Sequence, residues 1–232
     1  TTEIYTLSLH DALPILLHTN AVLYILDPKN SDLADLGTVM PNVYHTKEEM
    51  IDCVNAFYEG MVQRSEEMKR HPNYKTGENY AYLGLPPCFL IFDEYVAFFE
   101  MLGTKESVGL LSQLKKIVML GRQAGYFLIV ACQRPDAKYF SDGIRDNFNF
   151  RVGLGRISEL GYGMLFGSDV KKQFFQKRIK GRGYCDVGTS VISEFYTPLV
   201  PKGHDFLQTI GSLAQARQDG TATCEAKGDG TD

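Results

Sequence analysis

An α/β fold, built on a mostly parallel sheet with helices on both faces, is what this 232-residue sequence predicts. Three observations carry that reading. The runs AVLYIL at 21–26, CFLIF at 88–92 and YFLIVAC at 126–132 are continuously apolar, as strands buried on both faces are. Segments with helical periodicity separate them, which is the alternation of a sheet covered on both sides. Each run also ends in polar residues: Asp27-Pro28-Lys29, Asp93-Glu94 and Gln133-Arg134. Parallel strands all point one way, so these groups are expected on one sheet edge, where ligands bind in such folds.

Residues 1–15, TTEIYTLSLHDALPI, fit poorly with the rest of the chain; LSLHDALPI resembles translated sequencing-adapter read-through, and the segment is expected to be non-native and outside the fold. From Leu16 the pattern is regular. The first strand stops at Pro28. Thr46 with Glu49 forms a capping-box pattern, and Met50, Val54, Phe57 and Met61 recur at helical spacing. HPNYKTGENYAYLGLPP is a loop rich in Gly, Pro and Asn before the second strand. GLLSQLKKIVMLGRQAG is a helix closed by Gly125. After the third strand, NFRVGLGRI is read as a further strand and YCDVGTSVISEFYTPLV as a hairpin or edge strands. The sequence after about Gly211 is small and polar, and 211–232 is expected to be a disordered tail.

Composition narrows little by itself. The formal net charge is -4, and charged residues make up 22%. The distribution says more. Between Lys115 and Arg182, 14 Lys and Arg face 5 Asp and Glu, while the rest of the chain is acidic. Such a positive half is compatible with nucleic-acid binding and equally with solvated helix faces. Five widely spaced cysteines form no C-x-x-C and no zinc spacing, which points to a reducing compartment. No apolar run has the length of a membrane span.

The strand ending in Asp93-Glu94 has the form of a Walker B motif. The first carboxylate at such a strand end can hold Mg²⁺, usually through water. The second can polarise the water that attacks a γ-phosphate. A strand simply stopping at the surface is the simpler alternative. Gln133 can contact the γ-phosphate or the attacking water, or merely bond a loop.

LYILDPKN, CFLIFDEY, GRQAGYFLIVACQRP, IRDNFNFRVGL and KGRGYCDV occur in the order seen in the FtsK/SpoIIIE family of DNA-pumping ATPases, which residues 16–190 resemble. DEYVAFFE and DNFNFRVGLGR are closest in style to FtsK-like coupling proteins of conjugative transposons. The resemblance implies a RecA-like P-loop NTPase core over 16–210 and a ring hexamer that drives double-stranded DNA with ATP and Mg²⁺. It also implies a cytoplasmic motor, with conjugation machinery as a partner and room for a membrane anchor in a longer protein. By the same resemblance, Asp93 is the Mg²⁺-side acid, Glu94 the catalytic glutamate and Gln133 a sensor-like amide. Asp27 and Lys29 match the Asp-Pro-Lys near the nucleotide. Either Arg151 or Arg156 is placed to act as an arginine finger on a neighbouring subunit, with a structural salt bridge as the alternative.

One departure matters. No G-x-x-x-x-G-K-[ST] occurs in the chain, and Gly103-Thr104-Lys105 lacks the upstream glycine and strand. The loop would precede LLHTN at 16–20 by a helix, so the core is expected to lack its first strand and Walker A loop through truncation. The chain is then expected neither to bind ATP tightly nor to hydrolyse it. Lys171, Lys172, Lys177, Arg178 and Lys180, with Phe174 and Phe175 among them, are candidate contacts to DNA phosphates or a solvated helix whose phenylalanines pack inward. Two rival readings remain: a ring ATPase moving single-stranded DNA or protein, and a non-hydrolysing scaffold.

Overall fold

A computed structural model describes residues 3–134, 138–139, 142–167, 170, 174, 179, 181–189, 191–197 and 203–219. Four parallel strands form the main sheet: β1 (Val22–Leu26), β2 (Val43–Tyr44), β3 (Cys88–Phe92) and β4 (Tyr126–Val130). Their order is β2-β1-β3-β4, so the three apolar runs lie side by side with β3 between the other two. The expected α/β class and parallel sheet are present.

The alternation of side chains explains why these strands are apolar throughout. Leu26, Leu90 and Phe92 face helices α2 (Lys47–Arg70) and α4 (Thr104–Ala124), against Val54, Phe57, Leu114 and Ile117. Leu23, Ile25 and Ile91 face the other side, against α1 (Glu3–Leu17) and α7 (Phe206–Gln218). Both faces are dry, and each fully buried Leu, Ile or Phe contributes about 1.5–3 kcal/mol. Between β3 and α4 the chain forms α3 (Tyr95–Glu100), whose Tyr95, Phe98 and Phe99 are buried.

Local signals account for the helix ends. Thr46 Oγ1 accepts from the Glu49 N–H, and the Glu49 carboxylate accepts from Thr46 in return. Helix α4 begins at Thr104, five residues before the expected start, and ends at Gly125 in the left-handed region (φ 78°). Its start places Gly103-Thr104-Lys105 after a helix, not after a strand. At Gly121 a Cβ would lie 2.2 Å from the Tyr126 carbonyl oxygen, so α4 and β4 approach backbone to backbone there.

Both chain termini differ from expectation. Residues 1–15 are expected outside the fold, yet Leu9 and Leu13 are buried with Leu17 against the sheet's second face. Their four-residue spacing gives α1 one apolar stripe. The tail is expected from 211, but α7 continues to Gln218 with Ala214 buried, because Ile210 and Ala214 share a face. Residues 220–232 lie outside the described residues.

Beyond β4, a short helix α5 (Asp142–Arg145) leads to β5 (Arg151–Leu154). Helix α6 (Glu159–Phe166) comes next, then β6 (Arg182–Asp186) and β7 (Ile192–Tyr196). The strand and hairpin read from the sequence are there, but they form their own antiparallel sheet, β5-β6-β7. A small aromatic core of Tyr162, Phe166 and Tyr184 supports it, and Phe174 stacks on Tyr162 at 4.2 Å. Among the described residues, no helix is long and apolar enough to cross a membrane.

Candidate functional site: a carboxylate edge

The register puts the strand ends in one row. Leu26 pairs with Phe92, and Phe92 with Val130. The next residues are therefore Asp27, Asp93 and Ala131. Hydrogen bonding continues one step past the strands: Asp93 N–H donates to Leu26 O (2.9 Å) and Ala131 N–H to Phe92 O (2.9 Å). Tyr95 N–H then donates to Ala131 O (2.8 Å), turning the chain into α3.

Asp27 is fully buried, and its carboxylate is filled with donors. Oδ1 accepts from Lys29 N–H (3.1 Å). Oδ2 accepts from Ser31 N–H (2.7 Å), Ser31 Oγ–H (3.0 Å) and Ala34 N–H (3.0 Å). These bonds compensate a charge that would otherwise be costly to bury. They build the turn after β1, with Asn30 in the left-handed region (φ 50°). Asp27 shapes the edge, and its oxygens are committed to that turn.

Asp93 is 9% exposed. Burial, then the Asp27 carboxylate, pushes its carboxyl up to about 6; Glu94 adds to this, while Lys29 and a hydrogen bond from Ser31 oppose it. An excess of negative charge in a dry site is what a divalent cation relieves. Mg²⁺ needs only one or two carboxylates when phosphates and waters complete its shell, so this arrangement fits it. No group of three or more His, Cys, Asp and Glu that could hold a metal occurs among the described residues. Ser31 is a site residue that sequence reasoning missed; an Asp followed four residues later by Ser was the available signal.

Glu94 occupies an unusual backbone position for a residue with a Cβ (φ 100°, ψ 71°). Such conformations cost about 1–3 kcal/mol and persist where surrounding bonds hold them. Here Lys29 Nζ lies 3.0 Å from Glu94 Oε2. The Gln133 N–H is shared between Oε1 and Oε2, at 3.2 Å each. Thus Lys29, Glu94 and Gln133, from three different strand ends, meet at one carboxylate. Cys132 sits beside them, and burial pushes its thiol up to about 12.

The remaining candidates are elsewhere. Arg151 donates from Nε to Phe148 O (2.9 Å) and from Nη1 to Leu165 O (3.2 Å), tying β5 to the end of α6. Arg156 is exposed and makes no hydrogen bond or ion pair among the described residues. Lys171, Lys172, Lys177, Arg178 and Lys180 lie outside the described residues.

No protein-family model matches the chain. In sequence it is similar to the FtsK domain-containing protein YdcQ of Bacillus subtilis, 54% identical over 209 residues. That match covers 90% of this chain and 43% of the relative, so the chain spans less than half the relative's length. In structure it is similar to the pCW3 conjugation coupling protein TcpA, solved in a monomer form with ATPγS, with a TM-score of 0.71 and 18% identity over 91% of this chain and 61% of that one. It is also similar to EssC (ATPases 2 and 3) from Geobacillus thermodenitrificans, with a TM-score of 0.60 and 16% identity over 90% of this chain and 41% of that one. At these identities the structural likeness concerns the fold alone, an α/β sheet with helices on both faces.

Proposed function

We propose that this FtsK-like chain is the carboxylate-bearing part of an ATP-driven motor domain that moves double-stranded DNA. One observation carries the reading: Asp93 and Glu94 close the middle of three apolar parallel strands, in the same row as Asp27 and Ala131. The 54% identity to an FtsK-domain protein and the fold shared with a conjugation coupling protein support it.

In this reading Asp93 holds the Mg²⁺ of Mg·ATP, whose charge would offset that developing on the transferred phosphoryl group. Glu94 orients the attacking water and takes its proton. Gln133 stands at the next strand end, linked to Glu94 through its N–H. For action across a subunit boundary Arg156 is the better candidate, since the Arg151 guanidinium already holds two carbonyls. The basic run from Lys171 to Lys180, with Lys172, Lys177 and Arg178, would track DNA phosphates without reading bases. A homohexameric ring and a cytoplasmic setting beside conjugation machinery complete the proposal. The fold shared with EccC (ATPases 2 and 3) of Thermomonospora curvata, solved in complex with a signal sequence peptide, favours a second reading, in which the cargo is protein.

The chain has no phosphate-binding lysine loop of its own. By itself it should neither bind ATP tightly nor turn it over, and measurable hydrolysis by the pure chain contradicts that. The test of function is a chimera in which this chain replaces the matched segment of its B. subtilis relative. ATP hydrolysis stimulated by duplex DNA, and weakened by salt, supports the reading. Stimulation by single strands alone, or by no DNA at all, overturns the duplex cargo.

A further inference from the structure

We propose that Lys29 is a positioning residue for Glu94, not a phosphate ligand: with the Gln133 N–H it fixes the carboxylate so that Oε1 is the oxygen presented to water. The inference rests on the ATPase reading above.

The donor count on the carboxylate carries it. Each carboxylate oxygen has two acceptor sites. Oε2 receives both the Lys29 ammonium (3.0 Å) and the Gln133 N–H (3.2 Å), and is the more heavily engaged oxygen. Among the described residues, Oε1 receives only its share of the Gln133 N–H (3.2 Å). One lone pair of Oε1 is left to accept from a water.

Lys29 is held in place by its own backbone. The buried Asp27 carboxylate takes the N–H groups of Lys29, Ser31 and Ala34, so the turn that launches the side chain is rigid. The ammonium then lies against Glu94, whose side chain is only 11% exposed. The left-handed backbone of Glu94 would relax without these bonds, carrying the carboxylate away. Lys29 and Gln133 thus couple the ends of β1 and β4 through the residue after Asp93. A lysine pointed at phosphate would instead present its ammonium as a free point charge.

Two measurements test this. In the chain itself, thermal unfolding of Lys29→Met, Glu94→Gln and the double variant gives a double-mutant cycle. The expected result is non-additivity of about 2 °C or more in Tm; additive shifts overturn the contact. In the chimera, Lys29→Met is expected to lower kcat about 10–100-fold with KM for ATP nearly unchanged, as misplacement of a reacting group does. Lys29→Arg should restore part of kcat. A raised KM at unchanged kcat would mark Lys29 as a phosphate ligand and overturn the inference while leaving the ATPase reading intact. An unsubstituted chimera that hydrolyses no ATP contradicts the ATPase reading and any catalytic role of Lys29, and the cycle alone then decides whether Lys29 holds Glu94.

Discussion

Lys29 and Glu94, separated by 65 positions in the chain, meet at 3.0 Å across the ends of β1 and β3. That pair, with the Gln133 N–H, turns three strand ends into one polar edge. Some groups at this edge are committed to structure, and others are left for chemistry.

Asp27 belongs to structure. Asp27→Ala would leave three N–H groups and one hydroxyl of a part-exposed turn without their buried acceptor. Urea unfolding should show a loss of about 1–3 kcal/mol, the cost of removing the acceptor that holds this turn. Asp27→Asn keeps an acceptor oxygen and should lose clearly less. An Asp27→Ala chain as stable as the parent would contradict the assignment.

Asp93 makes stability depend on pH in an unusual sense. Its carboxyl stands near 6 in the folded chain against an ordinary value of 3.8. The folded state therefore binds this proton more tightly than the unfolded state. The stabilisation is fully present below the ordinary value and is lost as pH rises through about 6. Urea midpoints taken between about pH 4 and pH 6.5 should fall more steeply in the parent than in Asp93→Asn. Parallel curves would refute the shift.

Two glycines of α4 should respond in opposite directions. Gly121→Ala drives a methyl group into the Tyr126 carbonyl and should cost about 1–3 kcal/mol. Gly109→Ala meets nothing within 4 Å and should stabilise by about 0.5–1 kcal/mol through helix propensity alone. Chemical denaturation of the two variants checks the contrast, and equal effects would argue against the close approach of α4 to β4.

The sheet was legible because burial on both faces leaves a plain mark, a continuous apolar run. The shared edge at Asp27, Asp93 and Gln133 came from parallel geometry. Pairing partners are another matter. Alternation marked 151–154 and the later hairpin as strands, but says nothing of which sheet a strand joins. Nor does a strand-end acid declare its role. Asp27 and Asp93 look alike in sequence, yet one is filled by donors and the other is buried with net repulsion. The Lys29–Glu94 contact depends on the turn that Asp27 builds. Gly121 carried no local signal, since only the neighbouring carbonyl makes its missing Cβ necessary.

The central claim is that Glu94 activates water at an ATP site. The most direct measurement is kcat for ATP in the chimera and in its Glu94→Gln variant, with nucleotide affinity measured alongside. A fall of about 100-fold or more in kcat with binding retained is the predicted result. A Glu94→Gln chimera that hydrolyses ATP as fast as the parent would contradict the claim.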